Sequence, residues 1–216
     1  MRATPSADLF NRVARATLAA AVLAVPGVVG AVDFPVAGTM TVNGNAGALP
    51  AGGTFSNSAY DGATGAIATG KFTFPQATIT SPPAVVTYQL SQLDNSSGQV
   101  AADGVAALSV ATMSLKVVSA TYSGIPVPVG TCVLQPISVT LTGTGSADGL
   151  DMSDSGFAIP PVGPTDCGGF ASQINAAIAG SNNGMQLHLE GDFTPPAPAD
   201  ADLIFENGFD PVAGIE

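Results

Sequence analysis

Apolar residues recur at every second position in several stretches of this chain. In Ala111–Ser119, Met113, Leu115 and Val117 alternate with Ser114 and Lys116. In Pro136–Gly145, Ile137, Val139 and Leu141 alternate with Ser138, Thr140 and Thr142. In Met185–Phe193, Met185, Leu187 and Leu189 alternate with Gln186, His188 and Glu190. A period of two predicts strands with one face in a core and the other in water. Asp61–Gly65 and Asp94–Gly98 share the form Asp-x-x-Ser/Thr-Gly. An aspartate that accepts from amides two residues on, followed by a glycine free to turn left-handed, predicts a hairpin at each. Flanking strands are expected over residues 52–60 and 66–74, and over residues 85–90 and 105–110.

Only Gly169–Gly180 carries a helical spacing, with Phe170, Ile174 and Ile178 four apart and Gly180 as the expected C-terminal cap. Thr194–Asp202 is proline-rich and reads as an extended linker. The expected organisation is a leader over 1–31, one domain over 32–193, and a linker with an apolar tail over 194–216. Abundant Gly, Ala, Thr, Ser and Val, with no tryptophan, fits a β-protein with many tight turns.

The leader follows from its three parts. Arg2, Arg12 and Arg15 precede an apolar run, Ala16–Ala31, broken at Pro26-Gly27 and ending in the small residues Gly30-Ala31. That is the pattern of a cleaved export signal. No transmembrane segment is expected in the mature chain. Removing the leader leaves two lysines against fifteen acids, a net charge of −13. Two lysines make no phosphate-binding patch, so nucleic acid and anionic lipid surfaces are poor partners. The chain has two cysteines, Cys132 and Cys167, 35 positions apart. In an exported protein such a pair is expected to be bonded, and closing that loop contributes roughly 4 kcal/mol in the chain-entropy treatment.

Candidate chemistry is sparse. His188 is the only histidine. A Ser-His-acid hydrolase centred on it is conceivable, but no Gly-x-Ser-x-Gly elbow accompanies it. Asp148, Asp151 and Asp154 lie three apart and are expected in an acidic loop, where a calcium cage would need six to eight oxygens. Glu190 and Asp192 are expected on one face of a strand, which does not suit paired-carboxylate sugar hydrolysis. Without tryptophan, and with three tyrosines, stacking platforms for glycans are scarce.

Several of these segments also resemble a family. Pro126–Gly130, Cys132, the Thr-rich strand after it, Ile159–Pro161, Cys167-Gly168, Asn175 and Met185–Leu189 resemble an uncharacterised family of exported bacterial proteins common in actinobacteria. The resemblance covers about half of the mature chain. It implies a secreted β-sandwich-like domain with one disulfide and adds no catalytic residue; no cofactor or metal is expected. The loop Asp148–Asp154 is shorter and more acidic than that family leads one to expect. The tail Leu203, Ile204, Phe205, Gly208, Phe209 and Asp210 resembles an Ile-Phe-x-x-Gly-Phe-Asp/Glu element found at the C-termini of exported proteins of Gram-negative bacteria.

Together these readings predict an all-β, two-sheet antiparallel sandwich of roughly eight to ten strands, with one short helix and one disulfide. The expected function is a secreted, non-enzymatic envelope or extracellular module, structural or adhesive. The alternatives are a carrier of an apolar ligand or lipid held between the sheets, and a serine-type hydrolase using His188. The tail is expected to meet an envelope or surface-retention partner, most simply by strand addition.

Overall fold

A computed structural model describes residues 30–198, apart from residues 82 and 110. The tail motif Leu203–Asp210 and all but the last two residues of the expected leader lie outside the described residues.

The strands, in chain order, are β1 (Val32–Val42), β2 (Asn45–Ala48), β3 (Gly53–Ser58), β4 (Tyr60–Asp61), β5 (Ala66–Thr73), β6 (Ala77–Ser81) and β7 (Ala84–Gln92). There follow β8 (Ser96–Val100), β9 (Val105–Leu108), β10 (Ala111–Tyr122), β11 (Ile125–Val127) and β12 (Cys132–Val139). The last three are β13 (Thr142–Ser146), β14 (Gly149–Ile159) and β15 (Gly180–Leu189). One helix, α1 (Ala171–Ile178), precedes β15 and follows a single 3-10 turn, Cys167–Gly169.

The protein is all-β with one helix and one disulfide, as expected, but it is not a two-sheet sandwich. Eight strands close a ring in the order β5-β3-β1-β15-β14-β13-β9-β8, and β8 pairs back onto β5 through Ala66↔Gln99 and Ile67↔Gly98. The alternation of apolar and polar residues is the same in a barrel and in a sandwich. What distinguishes them is the β5–β8 pairing. Glycine permits the tight curl there: a Cβ at Gly70 would lie 2.6 Å from the Phe55 ring, and one at Gly98 2.4 Å from the Ala107 carbonyl.

The remaining long strands form a second sheet. β7 lies between β6 and β10, and β10 carries β12 and β11 in succession along its other edge. A single bridge, Thr73↔Ser91, joins this sheet to the ring. Met113, Leu115 and Val117 of β10 are buried as their spacing predicts, and so are Met185, Leu187 and Leu189 of β15. Both regions contribute to one continuous core. Phe193 is fully buried at one end of the ring, with its ring centroid 4.9 Å from Phe34 and 5.1 Å from Tyr60.

Of the local expectations, one turn forms and several others are corrected. The turn at Asp61–Gly65 forms: Asp61 accepts from the Ala63 N–H at 2.9 Å and the Thr64 hydroxyl at 2.8 Å, and Gly65 has φ +74°. The similar Asp94–Gly98 segment makes no hairpin. It carries the chain from the second sheet into the ring, and Gly98 sits inside β8. Gln92 holds this crossing: its buried amide oxygen accepts from the Phe72 N–H at 2.6 Å, and its Nε2 donates to the Ser96 hydroxyl at 2.8 Å and to the Asp94 carbonyl. Pro136–Gly145 is two strands rather than one, because the chain leaves the second sheet at Val139 and enters the ring at Thr142. Gly180, expected as a helix cap, opens β15; the cap position is Ala179, in extended backbone, with its N–H on the Asn175 carbonyl at 3.0 Å. Glu190 and Asp192 fall beyond the end of β15.

Candidate functional site

β15 is flanked by β1 and β14, so its outward residues acquire neighbours on both sides. His188 pairs with Ala37 and Asp151, and Gln186 pairs with Thr39 and Ser153. β1 and β15 approach closely at Gly38, where a Cβ would meet the Gln186 carbonyl oxygen at 2.0 Å. The result is a shallow open cleft of about 390 Å³, lined by Gly38, Thr39, Asp151, Ser153, Gln186 and His188. A smaller one of about 250 Å³ adjoins it, lined by Thr41, Asp154, Asn182 and Asn183 among others.

Within the cleft, His188 Nδ1 and Asp151 Oδ1 are 2.7 Å apart. Two of the residues singled out in the sequence thus meet. Their side chains are 39% and 70% exposed, a setting in which an ion pair contributes at most about 1 kcal/mol. The rest of a catalytic triad is not assembled. The Cε1–Nε2 edge of the ring lies over Gly149, where a Cβ would be 2.5 and 2.8 Å away. Ser153 lies two residues beyond Asp151 on β14, whereas Gly149 lies two residues before it. The Ser146 hydroxyl donates to the Gly149 carbonyl at 3.2 Å. Among the described residues no hydroxyl hydrogen-bonds His188 Nε2. The dyad can exchange hydrogen bonds with a polar group but has no positioned nucleophile.

The expected acidic loop is a tight turn followed by a strand, and its three carboxylates diverge. Asp148 sits in the turn between β13 and β14, and Asp151 faces His188. Asp154 caps backbone, accepting from the Thr140 N–H at 2.7 Å and the Gly156 N–H at 2.9 Å. Among the described residues no three His, Cys, Asp or Glu side chains converge to hold a metal ion. Asp192 is likewise engaged locally. The Thr194 hydroxyl and N–H bind its carboxylate at 2.5 and 2.9 Å and hold it below the usual carboxylate range.

Cys132 and Cys167 are bonded and almost fully buried. The bond ties the first residue of β12, in the second sheet, to the turn that leads through α1 into β15. The interior of the ring is filled by Phe34, Phe55, Phe72, Ile67, Leu150 and Leu187 among others, all buried, as an eight-stranded barrel allows.

Sequence reasoning assigned no structural role to some polar side chains that organise the fold. Asn175 clasps Val162, accepting from its N–H at 2.8 Å and donating to its carbonyl at 3.0 Å. Asn183, nearly fully buried, accepts from the Asn43 N–H at 2.9 Å and donates to the Gly180 carbonyl at 2.7 Å. Asn43-Gly44, both at positive φ, closes the β1–β2 hairpin and is a strong turn signal in the sequence.

Comparison of the chain with protein-family models, curated proteins and solved structures finds no match.

Proposed function

We propose that this chain is an exported, non-enzymatic module of the bacterial envelope or extracellular space, with a structural or adhesive role. The observation that carries the reading is the buried disulfide. Such bonds persist in oxidising compartments and are rare in the cytosol. The leader-like residues 1–31 and the resemblance to exported proteins point the same way. The non-enzymatic part rests on the engaged state of the candidate groups: the cysteines are paired, Asp154 and Asp192 cap backbone, and among the described residues no hydroxyl hydrogen-bonds His188.

Cell fractionation with mass spectrometry and thiol titration tests the export. The expected result is protein outside the cytosol, lacking residues 1–31, with no free thiol under denaturing conditions. Cytosolic protein with two thiols overturns the reading. A screen for esterase and peptidase activity should return the same background for the wild type and His188→Ala; activity lost in the variant would restore the hydrolase. Solvent extraction should release no stoichiometric lipid, and a lipid at one per chain would restore the carrier.

A further inference from the structure

The inner face of the second sheet runs out past the core that covers it. Along β10, Leu115 and Val117 are 3% and 1% exposed, Ala120 is half-buried, and Tyr122 is 58% exposed. A bulge at Val118 keeps the residues after it in phase, because Val117 pairs with Tyr88 and Ala120 with Val86. The neighbouring strand repeats the gradient: Val127, paired with Ala120, is half-buried, and Ile125, paired with Tyr122, is 69% exposed. Cross-strand partners share a face, so Tyr122 and Ile125 extend the buried face into solvent. The turn between them, Ser123-Gly124, has both residues at positive φ, which is the geometry of a rigid two-residue hairpin. The patch is therefore held on a stiff projecting hairpin.

Its charge is also unusual. The chain carries a net charge of −11, yet residues 62–93 and 104–147 contain no acid and hold both lysines, Lys71 and Lys116. Residues 199–216 have the opposite character: five acids (Asp200, Asp202, Glu206, Asp210 and Glu216), no base, and the apolar cluster Leu203, Ile204, Phe205 and Phe209. An apolar, acidic segment is repelled by most of this protein and least by the second sheet.

Reach decides whose tail arrives there. Pro195 and Pro196 lie against Gly104 and Gly65, at the start of β5. The second sheet joins at the far end of β5, through Thr73↔Ser91, and β7 continues in the same direction to Ala84, beside Tyr122. The path over the surface is about 50 Å at ~3.3 Å per strand residue. From Pro196 the chain reaches at most about 25 Å by Leu203 and about 47 Å by Phe209, even fully extended. Leu203, Ile204 and Phe205 therefore fall well short of their own molecule's patch, and Phe209 comes level with it only with the whole segment fully extended.

We infer that the projecting face at Tyr122 and Ile125 is a docking site for the C-terminal segment Leu203–Phe209 of a second copy of this chain. Side-chain contact with the face provides the attachment, since Pro126 in β11 offers no N–H for strand addition. A face-to-face pair of patches fits less well. Two exposed side chains give on the order of 300 Å² of contact, against roughly 800 Å² per partner in a stable interface between folded surfaces. The tail-to-face contact is heterologous, so each copy offers one donor and one acceptor and association continues head to tail.

Sedimentation of the full chain, in the processed form that accumulates in expressing cells, tests this with three variants: Ile125→Asp, Tyr122→Ser, and a deletion of 199–216. The wild type should self-associate as concentration rises to about 100 µM, and more tightly in 0.5 M than in 0.05 M salt, because the contact is apolar and salt screens the repulsion between two acidic copies. Each variant alone should be monomeric, with an unchanged melting profile. Mixing the deletion with either point variant should restore a one-to-one dimer, because one supplies the face and the other the tail. A monomeric wild type overturns the inference. So does a deletion that still associates, which would mean face-to-face pairing, or a mixture that stays monomeric. None of these readouts depends on whether the chain is exported.

Discussion

The ring and the second sheet are made from the same alternating strands, yet they solve the edge problem differently. Each of the eight ring strands has a neighbour on both sides. In the second sheet, β6 pairs only with β7 and β11 only with β10 among the described residues. Closure removes exposed backbone, whereas an open sheet has to blunt it. Here Pro126 and Pro128 interrupt one edge, and Pro83 lies between β6 and β7 at the other. The charges divide as well, with acids around the ring and none on the second sheet. An open sheet without acids is the part of this molecule left able to touch something, while the ring serves as its base.

If the two regions are separable in stability, breaking what joins them should expose the difference. The largest effect is expected from replacing both Cys132 and Cys167 by serine. Denaturant unfolding should show a loss of about 4 kcal/mol. Hydrogen exchange should quicken in β12 and β10 before β1 and β14, because the bond anchors the second sheet to α1 and β15. Equal loss of protection everywhere would make the two regions one cooperative unit.

A smaller effect is expected at the crossing between them. Gln92→Leu leaves the Phe72 N–H and the Ser96 hydroxyl without their partner in a buried site, at a cost of about 1–3 kcal/mol. Amides of β5 and β8 near Phe72 and Ser96 should lose protection most; loss confined to β6 would place the junction elsewhere.

The smallest effect distinguishes the regions by charge. Asp61 is held below its usual value of 3.8, first by the Thr64 hydroxyl, and Asp192 below the same value by the Thr194 hydroxyl. Carboxyls depressed in the fold stabilise it fully above that value, and the contribution is lost as pH falls through and below it. Acidification under pH 4 should therefore loosen the Asp61–Gly65 turn and the Asp192–Thr194 segment first. The carboxylate-free second sheet should follow later. Exchange at the Gly65 amide against those of β10 reads this, and simultaneous loss would remove the distinction.

Much of the fold was legible because it is local. Alternation places Met113, Leu115, Val117, Met185, Leu187 and Leu189 inside, Asp61–Gly65 turns, and the spacing of Phe170, Ile174 and Ile178 makes the helix. Ring closure was not legible, because β5 and β8 are joined by a register that leaves no period in either strand. Asp94–Gly98 misleads for a related reason: it has turn residues, but Gln92 fixes the chain in a crossing. At the candidate site, the outward phase of His188 could be read from its strand. Its partner could not, since Asp151 is selected by the β14–β15 register and not by proximity in sequence.

The first strand of the ring is completed by the last. β1 lies between β15 on one side and β2 and β3 on the other, and Phe193 then seals the end beside Phe34. During synthesis, about 140 residues separate the end of β1 from the start of β15, on the order of ten seconds at bacterial elongation rates. Throughout that interval β1 has an unfilled side and the barrel has no lid. The chain is therefore a latch that closes only from its far end, and it stays threadable until nearly all of it has been made.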